Sequence, residues 1–279
     1  MHSVLPAILV LASLAVAEEP SSFDAGSENH LGLTFSPDGM TAYWVEWNGQ
    51  WGSRGTTPRT IYYSTQQDGG WSPPEPVPFS GKYNDDDPIV SPDGAWLYFI
   101  SDRPSGDLDE KPDANIWRYN LIDEGPMEFL SVNSEAEEYS PIVTDTGALF
   151  FASDRTGGYG QGDIYRADML GDDFDSPALL GPEINSEFGE WNLWVAGDEQ
   201  EMIFESSSRP TNISNAGDLY YSARTGDGWS KAVPIESLNS EGSDLMPRLH
   251  PDGQILYYTT APIGGNARII GVEWPLASE

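Results

Sequence analysis

The sequence predicts an all-β protein, a five-bladed β-propeller with four-stranded blades, and three observations support this prediction. An apolar strand, a turn and an aromatic strand return in the same order five times along the 279 residues. β-Branched and aromatic segments alternate with clusters of Gly, Pro and Asp, which is typical of short strands joined by tight turns. No segment of sufficient length has the periodicity of an amphipathic helix.

The repeat is clearest at the turn between the first two strands of each copy. The five copies are LTFSPDGMTAYWVEW from Leu33, PIVSPDGAWLYFISDR from Pro88, PIVTDTGALFFASDR from Pro141, WVAGDEQEMIFESSSR from Trp194 and PRLHPDGQILYYTT from Pro247. The turns begin at Ser36, Ser91, Thr144, Gly197 and His250, with separations of 55, 53, 53 and 53 residues. Repeats of this length built from short strands indicate propeller blades. A six-bladed alternative requires about 44 residues a blade, which this spacing contradicts.

Each copy continues with a third and a fourth strand. The third strands include NIWRYN from Asn115 and DIYRAD from Asp163, and the fourth read EPVPF, EFLSV, ALLG and AVPIESL. The last copy ends after its third strand. We therefore expect the segment around Ser22 and Phe23 to supply the missing strand, because a closed ring leaves no sheet edge exposed.

The N-terminus predicts export. An apolar run from Val4 to Val16 ends in Ala15-Val16-Ala17, which is typical of a signal peptide cleaved after residue 17. The domains are then residues 1–17, a signal peptide, and 18–279, a single propeller. The run is shorter than the roughly 20 residues of a membrane span. An uncleaved N-terminal anchor is the alternative, since no Lys or Arg precedes the run. We expect a periplasmic or secreted protein without membrane insertion.

Composition limits the classes of partner and of chemistry. With 13 basic and 45 acidic residues the net charge is −32, which disfavours nucleic acids and anionic lipids and favours cations, basic proteins or neutral ligands. The chain has no Cys, and only His30 and His250 follow residue 17. Disulfides, thiol catalysis and Cys-ligated zinc are thereby excluded. We expect a monomer without a cofactor.

Two of the copies carry a family resemblance. SPDGAWLYFISDR with NIWRY, and FFASDRTGGYGQGDIYRAD with LGPEINSEFGEW, resemble the WD-like repeat of the TolB-like propeller family. The resemblance covers nearly all of residues 18–279 and implies a bacterial, exported propeller that acts as a binding platform. TolB itself has six blades, a further N-terminal domain and a lipoprotein partner. This sequence predicts neither six blades nor that domain, so the Tol role is not carried over.

Acidic residues stand just before each innermost strand, on the face opposite the Pro-Asp-Gly turns. One acid from each blade is expected to surround the channel mouth, namely Glu28, Asp85 (beside Asp86 and Asp87), Glu138 (beside Glu137), Glu190 and Asp244. Such a ring predicts a site for a cation or for a basic side chain of a partner. The structural alternative is that Arg103, Arg155 and Arg209 pair with these acids and tie the blades together. Asn48 replaces the arginine in the first blade and the last blade has none, which leaves Glu28 and Asp244 as the unpaired acids.

Aromatic residues on the same face form a second candidate. Trp47, Trp51 and Trp191, with Tyr159, are expected in or beside the loops of the channel mouth. Exposed rings next to carboxylates suit carbohydrate stacking or a protein contact. The structural alternative is that these rings pack beneath their loops.

Two weaker motifs remain. Asp107, Asp109 and Asp113 alternate as in a calcium loop, but Lys111-Pro112 interrupts the pattern. Asn212-Ile213-Ser214 is a glycosylation sequon that matters only in a host that glycosylates.

Three functions follow, in order of preference. The first is a binding or scaffold propeller that recognises a protein or peptide through its acidic, aromatic face, and the second is a glycan-binding module that uses Trp47, Trp51 and Trp191. The third is a glycosidase that uses two channel carboxylates. No nucleophile elbow, phosphate loop or metal triad is visible, and acids repeated in every blade favour a binding role over catalysis.

Overall fold

A computed structural model describes residues 29–49, 55–68, 70–105, 113–213, 215–226 and 228–274. Within these ranges every regular element is a β-strand, and the strands form five antiparallel blades arranged as a propeller. The predicted fold class and blade number are confirmed. No described segment forms a helix capable of crossing a bilayer. The predicted signal peptide and the strand expected around Ser22 lie outside the described residues.

Each blade begins with an innermost strand, followed by a second and a third strand that pair in sequence order. The innermost strands are β1 (His30–Phe35), β6 (Asp85–Val90), β10 (Glu138–Val143), β16 (Gly189–Val195) and β21 (Ser243–Leu249). The second strands are β2 (Thr41–Glu46), β7 (Trp96–Ser101), β11 (Leu149–Ser153), β17 (Glu201–Ser207) and β22 (Ile255–Ala261). The third strands are β3 (Thr60–Gln67), β8 (Asn115–Asn120), β12 (Asp163–Ala167), β18 (Gly217–Thr225) and β23 (Arg268–Glu273).

The outer strands are short, and each pairs with the third strand of its blade. They are β5 (Glu75–Pro76), β9 (Glu128–Phe129), β15 (Ala178–Leu179) and β20 (Val233–Pro234). The Gly-Trp segments β4 (Gly70–Trp71) and β19 (Gly228–Trp229) extend β3 and β18 as hairpin arms. The third blade carries an additional hairpin of β13 (Met169–Leu170) and β14 (Asp173–Phe174), which the repeat does not predict.

The turn that defines the repeat has the same hydrogen bonds in all five blades. Ser36 and Ser91 each accept a hydrogen bond from the backbone N–H of a glycine three residues later. In the fourth blade the residue in this role is Ala196, not the Gly197 that the sequence comparison selects. The structural separations are therefore 55, 53, 52 and 54 residues. The difference arises because GDEQ stands in place of the Pro-Asp-Gly motif in the fourth blade. Without that motif, comparison of the sequences places the start of the turn one residue too late.

Each innermost strand has a β-bulge at the same place, where two residues face one residue of the second strand. The first residue of each bulge has a positive φ, namely Gly32 (59°), Asp87 (50°), Ser140 (48°), Asn192 (37°) and Met246 (52°). L-residues rarely adopt this conformation, and bulges re-aim side chains. The bulges are therefore five equivalent positions around the channel, four of which hold a residue other than glycine.

The hydrophobic core is divided into clusters that lie between neighbouring blades. Leu31 and Ile61 of the first blade, for example, pack with Leu97 and Phe99 of the second. The ring seam is formed by the first and last blades, where Asn29 N donates a hydrogen bond to Ala267 O at 2.9 Å. Burial of apolar surface between blades holds the ring together and leaves its axis to polar side chains.

Candidate functional site

The acids of the expected ring lie between blades. Asp85, Glu138 and Glu190 are fully buried, and each accepts hydrogen bonds from the arginine that follows the second strand of its blade. The ion pairs are Arg103–Asp85 at 2.5 Å, Arg155–Glu138 at 2.8 Å and Arg209–Glu190 at 2.8 Å. The pairing proposed as the structural alternative is confirmed for these three blades.

The same acids also bind the preceding blade. Each accepts a hydrogen bond from a serine in the loop that leads into its strand, at distances of 2.8 Å for Ser80–Asp85, 2.6 Å for Ser134–Glu138 and 2.5 Å for Ser186–Glu190. Burial raises the pKa of Asp85 and of Glu138, and the neighbouring arginines oppose that rise. These acids therefore join adjacent blades, and their direct contact with a ligand stays a prediction.

The first and fifth blades differ from the other three. Glu28 lies outside the described residues, and the residue aligned with the ring acids in the first blade is His30, whose Nε2 lies 3.5 Å from Glu46 Oε1. Asp244 occupies the position in the fifth blade and has no arginine partner among the described residues, as predicted. It accepts a 2.6 Å hydrogen bond from Ser240 N, and burial raises its pKa.

A cavity of about 840 Å³ opens at the channel mouth, on the face that carries the loops leading into the innermost strands. Its lining combines three aromatic residues, five acids and one arginine, namely Trp47, Tyr139, Trp191, Asp86, Asp87, Asp102, Glu137, Glu205 and Arg59. A concave site with several convergent polar groups is where a ligand is expected. This cavity is the candidate functional site.

Three of the bulge residues make hydrogen bonds at the cavity floor. Ser140 donates from its backbone N and from Oγ to Asp87 Oδ2, both at 2.9 Å. Ser140 Oγ also lies 3.0 Å from Asn192 Oδ1, and Asn192 Nδ2 donates to Glu205 Oε2. The positive φ of these residues places side chains from the second, third and fourth blades in contact.

Asp87 is 2% exposed, and no hydrogen-bond donor in the described part of the chain reaches its Oδ1. Burial and the neighbouring Asp86 raise its pKa to about 6, while the positive charge of Arg248 opposes the rise. Arg248 is equally buried and donates from Nη1 to Leu193 O at 2.8 Å and to Pro247 O at 2.7 Å. Its Nε and Nη2 have no acceptor among the described residues.

Glu205 lies in the middle of β17 and faces the cavity. It is 8% exposed, and no arginine or lysine in the described ranges forms an ion pair with it. Burial raises the pKa of Glu205 to about 7, and Asp87, Asp244 and Asp218 add to that rise. The aligned residues in the other blades are Val45, Ile100, Ala152 and Thr259.

The aromatic candidates have different surroundings. Trp47 is 7% exposed and is covered by the Arg59 guanidinium, which lies 5.2 Å from the ring centroid and also pairs with Asp86. Trp191 packs edge-on against Tyr139, with centroids 5.3 Å apart. Trp51 lies outside the described residues. Tyr159 is half-exposed and does not line the cavity.

The remaining motifs are separate from the cavity. Asp107 and Asp109 lie outside the described residues, and Asp113 accepts a 3.0 Å hydrogen bond from Asn115 Nδ2. The described ranges contain no group of three His, Asp or Glu residues arranged to hold a metal ion. Asn212 of the sequon donates to Ser206 O and Ala216 O, both at 2.8 Å, while Ser214 is outside the described residues.

Comparison with known proteins finds likeness in fold alone. No protein-family model and no curated protein matches this chain. Among solved structures, TolB from Acinetobacter baumannii is similar with a TM-score of 0.56 and 18% identity over 90% of this chain and 55% of TolB. A puromycin-hydrolysing peptidase from Mycobacterium tuberculosis and an oligogalacturonate lyase from Vibrio parahaemolyticus follow with TM-scores of 0.48 and 0.47 and identities of 18% and 15%.

The coverage of these matches limits what they show. The peptidase match spans 86% of this chain and 35% of the peptidase, and the lyase match spans 91% of this chain and 68% of the lyase. This chain spans about half the length of TolB. At such low identity the likeness to TolB confirms a propeller fold, and function has to be inferred from the cavity itself.

The structure brings together residues that the sequence does not mark as a group. The sequence predicts Asp86 and Asp87 near the channel mouth. It does not identify Asn192, Glu205 or Arg248 as site residues. Glu205 interrupts a strand at a position that holds an apolar residue or threonine in every other blade, and this contrast is the available signal. The resulting arrangement supplies hydrogen-bond acceptors and negative charge at the end of a partly aromatic cavity.

Proposed function

We propose that this chain is an exported binding propeller that recognises a basic segment of a protein or peptide in the cavity at its channel mouth. The observation that carries the proposal is the acidic floor of this cavity, where Glu205 has no basic partner in the described chain. The buried carboxylates Asp85, Glu138 and Glu190 are each paired with an arginine, whereas Glu205 is not. Buried charge left unpaired costs stability and points to function.

Charge and shape support the same occupant. The net charge of −32 attracts basic partners over the Debye length of about 8 Å at physiological salt. A cavity of about 840 Å³ accommodates a few side chains rather than a folded domain. Tyr139 and Trp191 offer aromatic surface beside the carboxylates, and positive groups bind favourably next to such rings.

The test is a binding survey with the protein from residue 18 onward, using matched basic, neutral and acidic peptides and a glycan panel. We expect basic peptides to bind, with affinity that falls as salt rises. Glu137→Gln at the cavity rim should weaken binding. Glu124→Gln, an exposed residue of the opposite face, is the matched control. Capture of glycans without basic peptides would contradict the proposal and support the glycan-binding alternative.

A glycosidase is the second candidate, because two carboxyl groups with raised pKa values, Asp87 and Glu205, share one cavity. Acid–base hydrolysis of a glycoside requires two carboxyl groups in one site, one of them protonated near neutral pH. Turnover of an oligosaccharide that is lost in Glu205→Gln would support this candidate. Arg59 covers one face of Trp47, and this argues against the use of that ring as a stacking platform for sugars.

A further inference from the structure

We infer that the floor of the cavity binds a single primary ammonium group, such as the end of a lysine side chain, between Asp87 and Glu205. This inference rests on the proposed function, since it names the group of a basic segment that reaches the floor. It is carried by the negative charge of the cavity, by the unsatisfied acceptor Asp87 Oδ1 and by the fit of an ammonium to both.

Five carboxyl groups and one guanidinium line the cavity, so negative side chains outnumber positive ones. Three carboxylates belong to the floor and its immediate surroundings, namely Asp86, Asp87 and Glu205. Two guanidinium groups oppose them, because Arg59 pairs with Asp86 and the charge of Arg248 acts on Asp87. Glu205 has no such partner among the described residues. A cationic group beside Glu205 would compensate a carboxyl group that has no basic partner in the described chain, and the lining acids Asp102 and Glu137 add to the attraction.

Asp87 and Glu205 both present carboxyl groups to the same cavity. Asp87 uses Oδ2 for both hydrogen bonds from Ser140, which leaves Oδ1 without a donor in the described chain although it is completely buried. Glu205 uses Oε2 for the bond from Asn192. A buried acceptor without a donor is costly, so Asp87 Oδ1 is suited to a donor that arrives with the ligand. Ser140 orients the carboxyl group of Asp87, and Asn192 orients that of Glu205, through these hydrogen bonds.

An ammonium fits this floor better than a guanidinium. It is a compact charge with three donors at the end of a flexible stem, whereas a guanidinium is a planar fork that binds one carboxylate with two parallel hydrogen bonds. Arg59 already occupies an aromatic part of the site, over Trp47 and against Asp86. A narrow methylene stem can pass Tyr139 and Trp191 with its apolar part in contact with their rings.

The experiment titrates the protein with one short, end-capped peptide of glycine and serine that carries a central lysine. The matched peptides replace this lysine by Nε-acetyl-lysine, norleucine, trimethyl-lysine or arginine. We expect the lysine peptide to bind most tightly. Loss of the charge or of the N–H donors should each abolish specific binding, because both are needed to satisfy Asp87 and Glu205.

The variants are Glu205→Gln and Asp87→Asn, each tested by the same titration. Each variant removes one carboxylate partner of the bound ammonium and should weaken the affinity for the lysine peptide by about 30-fold. Asp123→Asn changes the net charge equally at an exposed position of the opposite face and should leave the affinity within about twofold. A thermal melt of each variant shows whether it folds. If one of the two fails to fold, the other still provides the test.

The outcomes separate this inference from the proposed function. If basic peptides bind but trimethyl-lysine or arginine binds as well as lysine, or if both floor variants bind normally, the ammonium site is wrong and the proposed function stands. If no basic peptide binds at all, both are overturned.

Discussion

Arg103 Nη2 lies 2.5 Å from Asp85 Oδ1, and both side chains are buried between the first and second blades. Arg103 Nε also donates to Ser101 Oγ at 2.8 Å, and Asp85 accepts from Ser80 of the preceding blade at 2.8 Å. The contact therefore fastens the end of one strand to the neighbouring blade, and the third and fourth blades repeat it. Its energetic value can be tested in isolation.

We predict that Arg103→Met destabilises the protein by about 3–5 kcal/mol, because Asp85 is left as a buried charge without a partner. Removing both charges in Arg103→Met with Asp85→Asn should recover part of this loss. The measurement is the free energy of unfolding in urea at neutral pH. Lys231→Met, at an exposed position, should change it by no more than about 0.5 kcal/mol. Equal stability of Arg103→Met and Lys231→Met would show that the ion pair is not structural.

Glu205→Gln should stabilise the protein above neutral pH. Burial raises the pKa of Glu205 from 4.5 to about 7 in the folded state, so ionisation opposes folding. This cost is absent below pH 4.5, grows as the pH rises to about 7 and is constant above it. The variant should gain on the order of 3 kcal/mol at pH 8 and almost nothing at pH 4.

The check for Glu205 is a series of thermal or urea unfolding curves from pH 4 to pH 8, with Glu124→Gln as the exposed control. A gain that does not depend on pH would contradict the raised pKa. A gain above pH 7 combined with weaker binding of the lysine peptide would show that the cavity exchanges stability for ligand affinity.

Glu199 is expected to stabilise the face opposite the cavity. It has a positive φ of 56° at the turn position where the other four blades have glycine, and it pairs with Arg166 at 3.0 Å and with Arg224 at 2.9 Å. These partners lower the pKa of Glu199. Its contribution is therefore present above pH 4.5 and is lost as the pH falls through the lowered value.

We predict that Glu199→Gln loses about 1–2 kcal/mol at pH 7 and that the difference from the wild-type protein disappears in strong acid. Unfolding curves at pH 7 and at pH 3 measure this. Glu199→Gly separates the two effects, because glycine relieves the strained φ but also removes the ion pairs. If Glu199→Gly is as stable as the wild-type protein at pH 7, the ion pairs add nothing beyond the strain they offset.

Trp191 is positioned by two glycines. A Cβ atom at Gly162 would lie 2.2 Å from Trp191 Cη2, and one at Gly189 would lie 2.3 Å from Trp191 Nε1. We predict that Gly162→Ala displaces the indole from the cavity wall at a cost of about 1–3 kcal/mol. The measurements are unfolding in urea and affinity for the lysine peptide.

Gly228→Ala is the matched control for Gly162→Ala, because nothing lies within 4 Å of the added methyl group. It should leave both stability and binding unchanged. If Gly162→Ala behaves like Gly228→Ala, the close packing of Trp191 does not shape the cavity.

Much of the fold follows from local sequence. The apolar strand, the Pro-Asp-Gly turn and the aromatic strand recur because each blade repeats the same local conformation, and their spacing yields five blades without any knowledge of contacts between blades. The pairing of Arg103, Arg155 and Arg209 with the ring acids was also predicted, because the repeat places each pair at fixed positions on one face. The hairpin of β13 and β14 belongs to one blade only and so leaves no mark in the repeat.

The sequence by itself therefore determined the class of fold, the number of blades and the face that carries the acids. Only the tertiary structure decided which acids reach the cavity. The bulge in β6 sends Asp85 between the blades and Asp87 to the channel, although the two are separated by a single residue. A bulge depends on pairing with the neighbouring strand, and the raised pKa of Glu205 depends first on its burial and then on charges from three other elements. The bulge recurs within each blade, whereas the charges of Asp87 and Asp244 reach Glu205 from other blades and so depend on the assembled ring.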